Sequence, residues 1–152
     1  MLAFAWRLGA DTMCRFTRAQ FLSLARYNVK TIEDVRKLLP TFMAEAQKSF
    51  DSYYGFTYAF GLDKDKGERV LPAAVALPLW QLVFSGETTS PHLDKWLDFL
   101  QRKKTRGITR DTWDLYLLFT RTIAADYSNY DEMEAWPSLL DEFVEEERER
   151  LA

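Results

Sequence analysis

The chain has 152 residues, a net charge of −3, 47% hydrophobic residues, one cysteine and one histidine. That length fits a single domain able to bury on the order of 70% of its unfolded surface, and the apolar content excludes a disordered chain. One cysteine excludes an internal disulfide, neither a cysteine cluster nor a multi-histidine metal site can be built, and no apolar run reaches the ~20 residues of a membrane span.

Charge is unevenly spread. Residues 126–152 carry ten acids against two bases, −8, which leaves +5 on the rest. An acidic end favours a basic protein partner and disfavours nucleic acid. The run Glu145–Arg150 reads as a solvated face of a terminal helix.

Residues 1–8 read as the end of a helix whose beginning is absent. Met1-Leu2-Ala3-Phe4-Ala5-Trp6 resembles a short signal core, but no basic flank precedes it and Arg7 interrupts it. It is read as a buried helix fragment. A loop from Gly9 to Phe16 leads to a helix from Thr17 to Tyr27. Phe16, Thr17 and Gln20 have the spacing of positions 8, 9 and 12 of a calcium loop, with Gly9, Asp11 and Met13 at positions 1, 3 and 5. Gly9 and Met13 lack a side-chain oxygen, Gln20 lacks a charge, and Cys14 stands where the sharp turn wants glycine. An EF-hand-like shape without calcium is expected. Cys14 fits a reducing compartment; with no histidine partner or activating motif it is not a thioester nucleophile.

Thr31 with Asp34 predicts a capping box opening a short helix to Leu38, with Pro40 as its stop. Phe42, Met43 and Ala46 mark another helix, continuing after a break. Tyr53, Phe56, Thr57 and Phe60 mark the next, closed by a polar turn from Gly61 to Gly67. Asp63-Lys64-Asp65-Lys66-Gly67 imitates a calcium loop, but its glycine comes one place early and no ligand set follows.

Pro72 opens a helix carrying Val75, Leu79, Leu82 and Val83, which Pro78 should kink or break at ~3 kcal/mol. Ser90-Pro91 caps the following helix, with Leu93, Trp96, Leu97 and Leu100 as its stripe. His92 falls in the first turn, at the surface. Arg102, Lys103, Lys104 and Arg106 suit a helix C-terminal end, a better account than a nucleic-acid patch. No strand-like alternation and no fixed repeat is present. The fold class is therefore all-α, a bundle of short helices with a degenerate EF-hand-like N-terminal part.

The most informative stretch is Ile108–Val144. Thr109 can cap a helix whose first turn holds Asp111, a negative charge at the positive end. Trp113, Tyr116, Leu117, Thr120, Ile123 and Ala124 lie on one helical face. Leu115, Leu118 and Phe119 widen it, which predicts burial on most sides. Asn129 suits the turn that follows. Pro137 suits the first position of a last helix, whose inner face is Leu139, Leu140, Phe143 and Val144, with Asp141 on the flank. Residue by residue, Asp111 also fits a plain helix-start carboxylate, Ala135 a spacer and Asp141 a solvated position.

Ile108, Asp111-Thr112-Trp113, Ser128-Asn129-Tyr130-Asp131, Ala135-Trp136-Pro137, Leu139, Asp141 and Phe143-Val144 together resemble the "defective in cullin neddylation" family. Its shared module is the potentiating-neddylation (PONY, or DCUN1) domain. The resemblance covers essentially all of residues 1–152, but the family's domain begins earlier, so the first half of its EF-hand-like part is lacking. It implies a non-catalytic scaffold that promotes cullin neddylation, with no cofactor and no membrane or nucleic-acid partner, in the nucleus or cytoplasm. The implied cullin-gripping residues are Asp111, Ala135 and Asp141, and their target is a cullin C-terminal winged-helix region. A pocket for the acetylated N-terminal methionine of the neddylation conjugating enzyme falls on Leu2, Ala5, Cys14, Phe16, Phe60, Leu79 and Leu82. Leu79 departs from the family, in which an aromatic is common there. The RING subunit of cullin ligases is a further implied partner. Two alternatives remain from the residues themselves: an acidic helical adaptor for another basic protein, and an EF-hand calcium protein, which the missing ligands disfavour.

Overall fold

In the computed structural model, which describes residues 1–152, eight α-helices carry the chain. They are α1 Leu2–Leu8, α2 Arg18–Leu22 (followed by a 3-10 turn, Ser23–Tyr27), α3 Ile32–Lys48, α4 Phe50–Gly61, α5 Ala73–Val83, α6 Leu93–Arg102, α7 Arg110–Thr122 and α8 Ser138–Leu151. The all-α class stands. One feature escaped the sequence: β1, Leu71–Pro72, pairs antiparallel with β2, Gly107–Ile108, placing Leu71 opposite Ile108. Two residues are too few to show a period of two, so alternation could not reveal this ladder. Gly107 leaves room for the Val70 side chain here; a Cβ on it would lie 2.7 Å from Val70 Cγ1.

The chain forms two compact units, one of Met1–Glu68 with Pro78–Thr89, the other of Arg69–Leu77 with Ser90–Ala152. In the first, α1 packs on α3 and α4. Phe4 meets Phe16 and Phe42, and Tyr27 meets Phe42 edge-on. Trp80 donates its indole N–H to the Tyr54 hydroxyl at 2.8 Å, which satisfies a polar atom inside the core. Phe50, Tyr54 and Phe84 close that side as a ring cluster.

The capping box at Thr31 and Asp34 forms, with Asp34 N–H donating to Thr31 Oγ1 and Thr31 N–H to Asp34 Oδ2. Pro40 does not stop the helix: α3 is one helix of 17 residues. The proline removes one backbone donor and sits exposed, while Phe42 and Ala46 beyond it are buried in the core. Packing of Phe42 and Ala46 outweighs the local penalty. Met43, expected on the buried stripe, is 55% exposed. Pro78 likewise lies inside an unbroken α5 and is exposed.

The second unit has an aromatic centre. The Phe119 ring is fully buried and lies 5.0–6.5 Å, centroid to centroid, from His92, Tyr116, Tyr127, Tyr130, Trp136 and Phe143. Trp96 stacks on Tyr116 and Phe99 and meets Phe143 edge-on. Offset and edge contacts of this kind add ~0.5–1.5 kcal/mol per pair beyond burial. Thr109 caps α7 as expected, and Asn129 closes its other end, accepting from Ala124 N–H and donating to Thr122 O. The α7 stripe holds at Trp113, Tyr116, Leu117, Thr120 and Ile123. It does not wrap the helix: Leu118 is 48% exposed, and Ala124 lies beyond the helix end in solvent.

The basic run after α6 has a specific destination. Arg102 pairs with Asp98 and with Glu146, and Lys103 pairs with Glu142. The α6 end is thereby tied to the acidic face of α8. These pairs are mostly solvent-facing and screened, so each stabilises the contact only weakly.

Candidate functional site

Asp111 sits in the first turn of α7 behind the Thr109 cap, whose hydroxyl oxygen accepts from Thr112 N–H. Its side chain is exposed. Ala135 lies in the segment between α7 and α8, also exposed. A tight turn precedes it: Asp131 Oδ1 accepts from Met133 N–H at 2.8 Å, and Glu134 O accepts from Trp136 N–H at 2.8 Å. Asp141 lies in the first turn of α8, half-buried, and the Tyr130 hydroxyl donates to its Oδ1 at 2.5 Å. Burial pushes the Tyr130 hydroxyl far above the usual phenol range, and the hydrogen bond to Asp141 adds to it. All three residues thus belong to the second unit, and none is sealed inside.

Asp141 opens onto a hollow of about 280 Å³ that it lines with Glu132 and Glu145. Three carboxylates around one depression concentrate negative potential there. Glu132 is paired with Arg148, which leaves Asp141 and Glu145 without a base.

The seven residues Leu2, Ala5, Cys14, Phe16, Phe60, Leu79 and Leu82 line a single cavity of about 270 Å³ in the first unit. Met1 and Met13, absent from the sequence reading, complete it. Ala5, Phe60 and Leu79 are buried, while Cys14 and Leu82 are exposed. Leu82 was expected on the inner stripe of α5; at 55% exposure it faces away from the core proper. The lining is almost entirely apolar, so it suits an uncharged, apolar group. A separate hollow of about 340 Å³, between Phe21 and Leu22 on one side and Ile32 and Val35 on the other, contains no expected site residue.

The loop beside the cavity carries its own internal clasp. Cys14 adopts φ 61°, the left-handed conformation for which the sharp turn wants glycine. Gln20 reaches back across the loop. Its Nε2 donates to Gly9 O at 2.8 Å, and its Oε1 accepts from Thr17 N–H at 2.8 Å. Thr17 Oγ1 accepts from Gln20 N–H in return, a full capping box. The carboxamide therefore joins the first and twelfth loop positions directly. Asp11 is the one carboxylate in the loop, too few for a calcium donor set.

A family model described as "Cullin binding" matches residues 30–146. The chain belongs to the cullin-binding (PONY/DCUN1) family. It is 43% identical over 155 residues to "DCN1-like protein 3" of Homo sapiens, covering 99% of this chain and 51% of that protein. The Xenopus tropicalis protein of the same name is 44% identical over 155 residues, with the same coverage. The Drosophila melanogaster one is 41% identical over 157 residues, covering 99% and 45%. The chain spans about half the length of the curated relatives it matches. The family match takes in Asp111, Ala135, Asp141, Phe60, Leu79 and Leu82, and the alignments to the relatives run on across Leu2–Phe16.

Two polar residues of this family member stand elsewhere than the sequence suggested. His92 was expected at the surface and is 1% exposed. Its Nε2 lies 3.0 Å from Ile123 O, and its ring packs on Phe119 and Tyr127. Burial pushes its pKa below the usual histidine value. Glu147, placed on a solvated face, is 3% exposed and paired with Lys95 and Arg150. Burial, with Glu147 close by, raises the Tyr127 hydroxyl to about 12. The terminal helix is thus anchored by a charge that its run of glutamates concealed. Tyr130, Glu132, Glu145 and Arg148 were also missed as candidate site residues. One signal was available: Asp141, Glu145 and Arg148 fall at i, i+4 and i+7, one face of α8.

Proposed function

We propose that this chain is a non-catalytic scaffold for cullin neddylation. Asp111, Ala135 and Asp141 hold the C-terminal winged-helix region of a cullin. The cavity at Leu2, Ala5, Cys14, Phe16, Phe60, Leu79 and Leu82 receives the acetylated N-terminal methionine of the neddylation conjugating enzyme. The RING subunit of the ligase completes the assembly, in the cytoplasm or nucleus. The observation that carries the reading is the carboxylate hollow at Asp141 in a chain of the cullin-binding family. A basic partner side chain meets two uncompensated carboxylates there, and an exposed alanine on the adjoining segment leaves room for close approach.

The apolar cavity supports the second half. An acetylated amine carries no charge and can enter such a lining, whereas a free ammonium would lose its water without a partner. Acetylation therefore acts as a chemical gate. The scaffold performs no bond chemistry itself. Holding acceptor and charged enzyme together raises effective concentration and fixes orientation, effects worth several kcal/mol.

Calorimetry of this chain against a cullin C-terminal domain tests the first half. Asp111→Lys or Asp141→Lys should weaken binding by ~2–5 kcal/mol where the carboxylate is buried against a base, and Ala135→Arg should block approach by volume. Parental affinity in all three variants would reject the patch and favour an acidic adaptor for another partner. Titration with acetylated and free methionine peptides of the conjugating enzyme tests the second half. Equal affinity for the two peptides counts against the cavity.

A further inference from the structure

We infer that Tyr130 is a positioning residue of the cullin patch: its hydroxyl fixes the Asp141 carboxylate, and Arg148 in turn fixes Tyr130. The inference rests on the cullin reading above and names a residue outside the Asp111, Ala135 and Asp141 set.

A carboxylate in the first turn of a surface helix samples several rotamers, and binding must then meet the cost of ordering it. Asp141 is already ordered. The Tyr130 O–H donates to Oδ1 at 2.5 Å and leaves Oδ2 and further lone pairs open to a partner. Tyr130 can hold that geometry because its own ring cannot move. It is 5% exposed, stacks on Trp136 with centroids 5.6 Å apart, and meets Phe119 edge-on at 5.9 Å.

The backbone of the same residue is held as well. Arg148 Nη2 donates to Tyr130 O and Tyr127 O, both at 2.9 Å, and its guanidinium lies 5.8 Å from the Tyr130 ring centroid. Its Nη1 donates to Glu132 at 2.9 Å. One arginine thereby closes the 127–132 turn and neutralises Glu132, one of the three carboxylates of the hollow. What remains for a partner is a fixed Asp141 with Glu145 beside it. A mere packing role for Tyr130 would need the ring but not the hydroxyl.

The test is a double-mutant cycle on affinity for a cullin C-terminal domain, with thermal melting alongside. Tyr130→Phe keeps the ring and should weaken binding about tenfold, the loss of one hydrogen bond to a charged group, with melting changed by only a few degrees. Asp141→Asn should weaken binding, and adding Tyr130→Phe to it should cost little more. Arg148→Lys keeps the charge but cannot reach two carbonyls and Glu132 together, so it should weaken binding about threefold without touching the ring. Parental affinity for Tyr130→Phe, or its full effect persisting beside Asp141→Asn, overturns the inference and leaves the patch standing. Parental affinity for Asp141→Lys alone also overturns the inference; parental affinity for Asp111→Lys and Ala135→Arg as well removes the patch reading itself.

Discussion

The two units carry their candidate sites in opposite ways. In the second, the interior is filled by interlocked rings around Phe119, and the candidate groups are surface carboxylates whose placement the core dictates. In the first, the candidate site is a gap in the packing, bounded by Ala5, Phe60 and Leu79. A charged site needs a rigid base and open access; an apolar site needs the packing to be left incomplete. Substitutions in the two units should therefore separate stability from binding differently.

The largest effect is expected at the centre of the second unit. Phe119→Ala should cost ~3–5 kcal/mol in chemical denaturation, since it empties a fully buried site touching six rings. A loss under ~1 kcal/mol would mean that the aromatic cluster does not hold the unit together. Filling the gap in the first unit should do the reverse. Ala5→Leu should change stability by less than ~1.5 kcal/mol, because a cavity is there to receive the added methylenes. It should nevertheless lower affinity for an acetylated methionine peptide at least about tenfold, or ~1.4 kcal/mol. Unchanged peptide affinity would separate the cavity from the binding site.

His92 sharpens the comparison through pH. Its folded-state pKa is depressed by burial, so the unfolded chain takes up the proton first as pH falls. The contribution to stability is full above about pH 6.5, the unfolded value. It is lost as pH falls through that value towards the folded one. Each unit of depression corresponds to ~1.4 kcal/mol. Melting at pH 5.5 should therefore lie below melting at pH 7.5, and His92→Gln should flatten the difference. A slope that survives in the variant would assign the effect to other groups.

Gln20→Ala opens the clasp of the first-unit loop and should cost ~1 kcal/mol, the scale of one exposed capping interaction. The same variant should reduce the cavity's preference for a bound peptide if the loop wall then moves; calorimetry reads both. The smallest effect is expected at Cys14, held at φ 61°. Cys14→Gly removes the strain of a side chain in the left-handed region but adds backbone freedom to the unfolded chain, for a net gain of ~0.5 kcal/mol. Destabilisation on urea denaturation would show that the Cys14 side chain contributes more by packing on the cavity than it costs in strain.

The local signals were legible. Thr31 with Asp34, Thr109 before α7 and Asn129 after it act within three to seven residues, a range that sequence spacing displays. The α7 stripe was legible for the same reason, and the motif between Ile108 and Val144 through its resemblance to a known family. The misses share another cause. Ser90 was read as a cap, but its hydroxyl is taken up by Tyr116 and Thr120, 26 and 30 residues away. Pro40 looked like a stop because the packing of Phe42 and Ala46 is not a local quantity. Glu147 looked solvated because its neighbours are, although Lys95 waits 52 positions earlier in the chain. The cavity-lining residues were named through family resemblance; their own pattern fitted interior packing equally well.

Periodicity, capping and charge, all short-range properties, determined that this chain is helical, where most of its helices begin, and that its end is acidic. The resemblance to the cullin-binding family was carried separately, by residue identities between Ile108 and Val144. Only the tertiary structure decided that His92 and Glu147 are buried, that Tyr130 holds Asp141, and that seven scattered residues enclose one cavity. Those outcomes depend on which side chains meet across tens of residues, and the free energy of such meetings appears only once the helices have packed.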